Sequence, residues 1–354
     1  MVNLCFPWFI DIQPISPNIG GKIVTKSVLV TNRLFEEVLN PLQNRFEVQV
    51  FQQDEPMPRE LFKQKVGDKT GLVAMSVDRV DKEIFDIAKS LKVVSTVSVG
   101  VDHIDIQTAT KRGIMITNTP GVLTETTADL AFALMMAVAR RIGEAERYIR
   151  SGKWKIPIYR RLLGTDVHGK TLGIIGFGRT GKAVAKRAGG LGMKILYYDI
   201  ARADKAMESD LNARFVPLDE LLSTADFVSL HVPLEKSTEK LMDQKNLQLM
   251  KHSAFLINTS RGKVIDEKAL IRALRDKKIA AAALDVFERE PHLPRELIER
   301  ENIVLTPHIG SASYETRKKM AELAVENCAL ALEGKKPPCL LNPEVLKGKS
   351  DKIS

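Results

Sequence analysis

The sequence has few cysteines, few aromatic residues and no long apolar run. Its three cysteines, Cys5, Cys328 and Cys339, show neither CxxC spacing nor an accompanying histidine pattern. Isolated cysteines in odd number predict neither a disulfide framework nor a zinc site, and they fit a reducing cytoplasm. No stretch approaches the roughly 18 consecutive apolar residues of a membrane span, and Pro7 and Asp11 interrupt the short apolar patch near the start. We therefore expect a cytoplasmic protein without a metal, a signal peptide or a membrane partner.

The composition is that of a folded globular protein of 354 residues, with 44% hydrophobic and 27% charged residues. This length leaves room for two domains, since a domain has roughly 100–200 residues. The net charge is +9, but the basic residues are scattered and no aromatic and basic recognition motif accompanies them. We expect no nucleic-acid partner; the positive charge suits the steering of anionic small molecules.

Short β-branched runs alternate with helical patterns along the chain, which predicts an α/β fold with parallel sheets. The predicted strands of the first half are 28–32, 46–51, 71–76, 93–98 and 114–118. Those of the second half are 171–178, 194–199, 227–233, 254–260, 281–287 and 303–309. Six strands in the second half match a dinucleotide-binding sheet.

Two helices are expected to connect or close these regions. Residues 124–152 carry alanine, leucine and methionine at helical spacing, with an acidic start and a basic end, which predicts one long helix between two domains. Residues 314–334 predict a closing helix.

The strongest local motif is GFGRTG at 176–181, which lies directly after a predicted strand and before a helical run. Gly176 permits a tight turn, Gly178 lets backbone approach a pyrophosphate, and Gly181 allows close packing of helix and strand. The phosphates would lie at the helix amino terminus.

An acidic residue ends the next predicted strand. Asp199 can hold ribose hydroxyls, so the pattern favours NAD. Arg202, three residues further on, could contact a 2′-phosphate and admit NADP, whereas Asp199 would repel that phosphate.

Three of the later predicted strands end in polar residues: Ser260 with Arg261, Asp285 with Glu290 after it, and His308. Reduction of a 2-oxo acid needs a cation for the carboxylate, an acid that protonates the new alkoxide, and a group that tunes the acid. Arg261, His308 and Glu290 supply one of each, with Glu288 as the nearest rival of Glu290.

Six ordered motifs resemble those of the D-isomer-specific 2-hydroxyacid dehydrogenase family, and particularly its glyoxylate/hydroxypyruvate reductase branch. The similarity covers about residues 27–345. The motifs are SVGVDHID (98–105), TETTADLAFALM (124–135), GFGRTG (176–181), NTSRG (258–262), ALDVFEREP (283–291) and TPHIG (306–310).

The resemblance implies a role for each site residue. Arg261 grips the substrate carboxylate, His308 is the general acid and base, and Glu290 pairs with His308. The backbone amides of Val99 and Gly100 also bind the carboxylate. Asp285 binds the nicotinamide carboxamide or, alternatively, caps a turn, and Met75 and Ser76 are substrate neighbours or core. The further expected cofactor contacts are Thr127, Gly176, Phe177, Gly178, Arg179, Thr180, Gly181, Asp199, Val232, Pro233, Thr259, Ser260, His308 and Gly310.

The resemblance also implies a Rossmann cofactor domain inserted into a flavodoxin-like substrate domain. The substrate-binding domain would comprise 23–120 and 310–345, and the NAD-binding domain 121–309, with tails at 1–22 and 346–354. The helix predicted from residue 124 would support a homodimer.

One departure leaves the substrate open between glyoxylate and hydroxypyruvate. The segment after Trp154, KIPIYRRLL (155–163), lacks the second tryptophan that in this branch commonly caps the neighbouring subunit's active site. A short D-3-phosphoglycerate dehydrogenase and a non-catalytic NAD-sensing protein are the alternatives. The remaining histidines have no comparable setting and are expected to be structural or superficial: His103, His168, His231, His252 and His292.

Overall fold

A computed structural model describes residues 14–15, 26–157 and 159–346. The chain forms two compact units, one made of residues 1–122 and 314–354, the other of 123–313. Apart from Pro14–Ile15 and Leu346, the predicted tails lie outside the described residues. Within those described ranges, no helix has both the length and the apolar character required to cross a membrane.

The first unit contains a sheet of five parallel strands with one antiparallel strand at its edge. Its strands are β1 (Pro14–Ile15), β2 (Ser27–Val30), β3 (Glu47–Val50), β4 (Gly71–Ala74), β5 (Val93–Thr96) and β6 (Met115–Thr117). The intervening helices are α1 (Glu36–Gln43), α2 (Arg59–Val66), α3 (Lys82–Ile87) and α4 (Ile106–Lys111). The spatial order is β1-β3-β2-β4-β5-β6, so the parallel strands follow the flavodoxin-like pattern. Because β1 pairs with β3, this part of the predicted amino-terminal tail is a strand.

The core of the first unit explains why its central strands β2, β4 and β5 are almost wholly buried. Leu29 of β2 lies opposite Leu72 of β4, which lies opposite Val94 of β5, and all three are buried. Helix residues such as Phe62 and Phe85 pack on the same cluster. Central strands of a parallel sheet are covered on both faces and keep no polar side, whereas β3 alternates the exposed Glu47 and the half-buried Gln49 with buried valines.

The second unit contains a sheet of seven parallel strands. Its strands are β7 (Thr171–Ile175), β8 (Lys194–Tyr198), β9 (Ala213–Phe215), β10 (Phe227–Leu230), β11 (Phe255–Asn258), β12 (Ala281–Leu284) and β13 (Ile303–Leu305). Its helices are α5 (Thr124–Ala139), α6 (Ile142–Arg150), α7 (Arg179–Gly189), α8 (Lys205–Asp210), α9 (Leu218–Thr224), α10 (Gln244–Leu249), α11 (Glu267–Arg275) and α12 (Arg295–Ile298).

The strand order β13-β12-β11-β10-β7-β8-β9 is the doubly wound order of a dinucleotide-binding sheet, extended by one strand. Successive residues of β7 point to opposite faces: Ile174 joins one apolar cluster and Ile175 the other. The prediction of two parallel-sheet α/β units is confirmed.

The last helix, α13 (Tyr314–Leu332), belongs to the first unit. The hydroxyl of Ser95 in β5 donates a 2.7 Å hydrogen bond to the Ala324 carbonyl, which ties the helix to the sheet. The Lys26 ammonium donates to the carbonyl of Leu332. The helix ends at Leu332, two residues before the predicted boundary, because Gly334 adopts a left-handed φ of 82°.

The prediction of one long helix over 124–152 is wrong. The chain breaks between α5 and α6 at Arg141, whose φ of 55° is left-handed. The Ala139 carbonyl accepts a 2.8 Å hydrogen bond from the Thr165 amide, so α5 is capped by a distant segment. This bond closes the helix where the local sequence would have continued it.

The sheet of the second unit also differs from the expectation of six strands, because β9 is a seventh. This edge strand has only three residues, one of which is the exposed Arg214. It is too short for an alternation of apolar and polar residues to be recognised in the sequence. The other predicted strands overran their carboxyl ends by one to four residues, since the same apolar pattern runs on into the loops that carry the site.

Candidate active site

The predicted site residues of the second unit follow the carboxyl ends of its parallel strands. In a doubly wound sheet, ligands bind outside these ends, beside the point where the strand order reverses. That point lies between β7 and β10. The segments concerned are 176–181 after β7, Asp199 after β8, Val232–Pro233 after β10, Thr259–Arg261 after β11, 285–290 after β12 and 306–310 after β13.

Two glycines of the GFGRTG motif lie where a side chain would collide with backbone. Gly176 has a φ of +94°, and a Cβ there would lie 2.7 Å from the carbonyl carbon of His231 and from the amide nitrogen of Val232. A Cβ at Gly181 would lie 2.1 Å from the carbonyl oxygen of Gly176. Glycine therefore permits the tight turn after β7 and the close approach of α7.

The amino end of α7 is open to a ligand. A Cβ on Gly178 would meet no atom beyond its chain neighbours within 4 Å, and no side chain caps the helix. Among the described residues, the amides of Gly178, Arg179 and Thr180 donate no hydrogen bond. Such amides carry partial positive charge and suit a pyrophosphate, so the residues present fit a dinucleotide.

Asp199 ties the glycine motif to the end of β8. Its Oδ2 accepts a 2.6 Å hydrogen bond from the Phe177 amide, and its Oδ1 accepts a 2.7 Å bond from the Ile200 amide. Each oxygen keeps acceptor capacity for a ribose hydroxyl. The ring of Phe177 is buried and stacks on Tyr197 at 4.0 Å between centroids, so this residue supports the turn through packing.

Further predicted cofactor residues lie beside these loops. The buried Thr259 Oγ1 has no hydrogen-bond partner in the described part of the chain, which marks a polar atom available to a ligand. Gly310 lies next to Thr127 of α5, whose Cγ2 would be 3.5 Å from a Cβ at Gly310. The carbonyl of Pro233 accepts a 2.6 Å hydrogen bond from the Thr238 hydroxyl, which fixes the turn after β10.

His308 and Glu290 form a direct pair. The distance from His308 Nδ1 to Glu290 Oε2 is 2.7 Å, and the side chains are 41% and 32% exposed. Glu290 Oε1 accepts a 2.9 Å bond from the Phe287 amide. Burial raises the pKa of Glu290, but the bond from His308 and the nearby charge of Arg261 outweigh this effect and lower it. The carboxylate beside His308 is therefore Glu290 and not Glu288.

Asp285 holds the turn that carries His308. Its Oδ1 accepts hydrogen bonds from the Thr306 hydroxyl at 2.7 Å and the Ile309 amide at 2.8 Å, and its Oδ2 accepts from the Gly310 amide at 2.8 Å. His308 has a left-handed φ of 55°, and its amide donates to the Asp285 carbonyl at 2.9 Å. A fully buried carboxylate thus stabilises a strained backbone. Burial raises the pKa of Asp285 despite these bonds.

Arg261 begins a turn that Asn258 stabilises. The Asn258 side chain accepts from the Ser260 amide at 3.0 Å and hydroxyl at 2.8 Å, and it donates to the Arg261 carbonyl at 2.9 Å. A Cβ at Gly262 would lie 1.9 Å from the carbonyl carbon of Phe287. Only glycine allows this contact, which brings the Arg261 turn against the loop that leads to Glu290.

In the first unit, the turn after β5 offers two backbone amides. The Val99 carbonyl accepts from Asn118 Nδ2 at 2.9 Å, and the Gly100 carbonyl accepts from the Ser98 hydroxyl at 2.7 Å. Among the described residues, the amides of Val99 and Gly100 donate no hydrogen bond. The carbonyls anchor the turn and leave two donors available for an anion.

Met75 and Ser76 follow the neighbouring strand β4. The Met75 amide donates a 2.7 Å hydrogen bond to Oδ2 of Asp78, which also accepts from the Thr31 hydroxyl at 2.5 Å. Asp78 is buried, and burial raises its pKa. Sequence reasoning missed this aspartate, because an acid shortly after a strand end looks like an ordinary solvated turn.

Two of the remaining histidines have structural partners. His231 Nε2 lies 2.8 Å from the Ser229 hydroxyl, and burial lowers the pKa of His231 to about 4. His103 Nε2 lies 3.0 Å from the Thr96 hydroxyl. Both rings stabilise strand ends.

Comparison with known proteins identifies the family to which this chain belongs. The family profile described as "D-isomer specific 2-hydroxyacid dehydrogenase, NAD binding domain" matches residues 132–310. A glyoxylate reductase of Korarchaeum cryptofilum is 50% identical over 322 residues, which cover 90% of this chain and 97% of the relative.

Two solved structures are similar to this chain over most of its length. A Thermus thermophilus protein has a TM-score of 0.84 at 45% identity, covering 89% of this chain and 99% of the other. The NADPH-dependent glyoxylate/hydroxypyruvate reductase of Sinorhizobium meliloti, solved with NADP and malonate, has a TM-score of 0.79 at 31% identity and covers 91% and 98%. The chain belongs to the D-isomer specific 2-hydroxyacid dehydrogenase family, as its motifs predicted.

Proposed function

We propose that the protein uses NAD(P)H to reduce a small 2-oxo acid, glyoxylate or hydroxypyruvate, reversibly to the D-2-hydroxy acid. The observation that carries the proposal is the 2.7 Å contact between His308 Nδ1 and Glu290 Oε2. This acid and its partner lie at the same sheet edge as a dinucleotide motif with free amides.

Substrate binding in this proposal rests on charge and on backbone donors. The planar guanidinium of Arg261 holds the carboxylate through two parallel hydrogen bonds and polarises the adjacent carbonyl. The free amides of Val99 and Gly100 add two donors to the carboxylate, and Met75 and Ser76 border the substrate. The regions 23–120 and 310–345 would bind the substrate, and 121–309 the cofactor.

The residues of the second unit would hold the dinucleotide, which when bound would supply a hydride to the carbonyl carbon. His308 delivers a proton to the carbonyl oxygen as the charge develops there, which yields the hydroxy acid. Glu290 accepts the Nδ1 hydrogen of His308, so Nε2 is the nitrogen left to exchange the proton. In the reverse direction the neutral ring takes the hydroxyl proton.

The cofactor contacts follow the loops of the second unit. The amides of Gly178, Arg179 and Thr180 would bind the pyrophosphate, and Asp199 the ribose hydroxyls. Thr127, Val232, Pro233, Thr259, Ser260 and Gly310 would border the cofactor. Asp285 would contact the carboxamide through its remaining acceptor capacity. Because Asp199 is anionic, NADH is favoured over NADPH.

The protein is proposed to be cytoplasmic and to act as a homodimer. Helix α6 is amphipathic and has no buried residue. A cluster of exposed apolar residues in one stretch of chain is typical of a protein contact site. We propose that a second copy of the chain binds there. The exposed apolar residues of α6, with those of the following loop, are Ile142, Ile149, Trp154, Ile156, Tyr159 and Leu163.

Light scattering after size exclusion tests the dimer. The expected mass is about twice the 39.4 kDa of the chain. Ile149→Glu should shift the protein toward the monomer, whereas Ile298→Glu, an equally exposed position on α12, should not. A wild-type monomer at micromolar concentration would contradict the proposal.

The reaction is tested by following NADH oxidation with four acids: glyoxylate, hydroxypyruvate, pyruvate and phosphohydroxypyruvate. The proposal predicts the highest kcat/KM for glyoxylate or hydroxypyruvate. Preference for phosphohydroxypyruvate would indicate a phosphoglycerate dehydrogenase, and NADH binding without turnover of any acid would indicate a sensor.

A further inference from the structure

The loop after β8, residues 199–204, contains a cation whose role the proposed function leaves open. Asp199 accepts amide hydrogens at both oxygens, yet Arg202 lies three residues on and carries a charge that would attract a 2′-phosphate. The two residues favour opposite cofactors. Cofactor choice therefore depends on what the guanidinium of Arg202 contacts.

The guanidinium of Arg202 is engaged by Glu208 of α8. Arg202 Nε donates to Glu208 Oε1 and Arg202 Nη2 donates to Oε2, both at 2.8 Å. Two parallel bonds use one whole edge of the guanidinium. The Arg202 Cζ also lies 5.9 Å from the centre of the Phe215 ring, which fixes the same orientation.

Glu208 is itself fixed by the core of the second unit. The hydroxyl of Tyr197 donates a 2.7 Å bond to Glu208 Oε1 and accepts a 2.9 Å bond from the Ala203 amide. Tyr197 is fully buried, and the side chain of Glu208 is only 12% exposed against 59% for Arg202. The bonds from Arg202 and Tyr197 lower the pKa of Glu208 to about 2, so the carboxylate is ionised at neutral pH.

We infer that Glu208 is a cofactor-specificity residue that holds Arg202 away from the ribose and so makes the loop selective for NADH. The inference rests on the proposed function. The Arg202–Glu208 pair has no net charge, which leaves Asp199 as the uncompensated charge next to the ribose hydroxyls. A 2′-phosphate would then meet the Asp199 carboxylate and a guanidinium whose charge is already neutralised and held by Glu208. Glu208 acts through Arg202 and is not a catalytic residue.

The test measures Kd values of NADH and NADPH by fluorescence titration, which needs no turnover. Four variants are compared: Glu208→Gln, Arg202→Ala, the double variant and Glu220→Gln. Glu220 pairs with Arg214 at 2.9 Å on the neighbouring β9 and α9, so Glu220→Gln removes an equal charge from an arginine–glutamate pair outside this loop.

Glu208→Gln should tighten NADPH binding by about threefold to tenfold, the scale of one partly screened ion pair, and change NADH binding by less than about twofold. Glu220→Gln should not change the ratio. Arg202→Ala alone should leave both Kd values within about twofold, because the guanidinium is already engaged. In the double variant the gain in NADPH affinity should disappear.

Unchanged or weaker NADPH binding by folded Glu208→Gln would overturn the inference. Weaker NADPH binding by Arg202→Ala alone would also overturn the inference, since Arg202 would then already bind the 2′-phosphate. If Glu208→Gln does not fold, the Kd of NADPH for Arg202→Ala tests the inference by itself. Wild-type protein that binds neither nucleotide would refute the proposed function itself, a result distinct from both.

Discussion

Replacing Glu290 by glutamine tests how the proton donor is tuned. Glutamine keeps the shape and can still accept a hydrogen bond, but it removes the negative charge 2.7 Å from His308 Nδ1. The pKa of Glu290 lies below its ordinary value of 4.5, so the carboxylate is ionised throughout the assay range above that pH. Its charge lies beside the ring that delivers the proton in the proposed reduction.

The size of the effect follows from the exposure of the pair. Two unit charges 4 Å apart interact by about 1 kcal/mol in water and about 4 kcal/mol at an effective dielectric constant of 20. Because the two side chains are 41% and 32% exposed, solvent screening places the pair near the lower end, at about 1–2 kcal/mol. That corresponds to about fivefold to thirtyfold in rate.

The assay is kcat/KM for glyoxylate reduction against pH, with the Kd of NADH measured separately. In Glu290→Gln, kcat/KM should fall by about fivefold to thirtyfold, because His308 loses the interaction with the charged carboxylate beside its Nδ1. The matched control is Glu288→Gln, two residues away and without a bond to His308, which should leave the profile unchanged. Superimposable profiles for wild type and Glu290→Gln would refute the reasoning.

Three further predictions follow from the same geometry. Arg261→Lys should lower kcat/KM for the oxo acid by about tenfold to a hundredfold with an unchanged Kd for NADH, because a lysine cannot form the bidentate fork; an unchanged kcat/KM would remove Arg261 from the site. In Asp285→Asn, the new amide group would face one of the three groups that donate hydrogen bonds to Asp285. The free energy of unfolding in denaturant should therefore fall by about 1–3 kcal/mol, and kcat should fall as well. An unchanged free energy of unfolding would contradict these contacts. Wild type should show a higher kcat/KM with NADH than with NADPH, and Asp199→Ala should narrow that gap; a preference for NADPH would contradict the role of Asp199.

Much of the site could be predicted because its signals are local in sequence. GFGRTG between a strand and a helix specifies a turn whose glycines are required by backbone contacts. Parallel strands bring their carboxyl ends to one edge, so Arg261, Glu290 and His308 were expected to be neighbours before any distance was known. In the structure His308 Nδ1 lies 2.7 Å from Glu290 Oε2, and the catalytic roles of the three residues stay a prediction.

The features that sequence reasoning missed depend on distant partners. The end of α5 is decided by the amide of Thr165, and β9 is too short to show a period. Glu208 lies six residues after Arg202 and pairs with its guanidinium, and the sequence motifs used for the prediction do not include this spacing. Asp285 was expected to contact the cofactor or to cap a turn; its bonds to the 306–310 turn are tertiary contacts.

The most direct test of the central claim is kcat/KM for NADH-dependent reduction of glyoxylate and hydroxypyruvate by wild type and by His308→Gln. The account predicts turnover by the wild type and a loss on the order of 10²–10⁴-fold in kcat for His308→Gln, with an unchanged Kd for NADH. Equal turnover by the two proteins would contradict the account, because the proton would then come from another group.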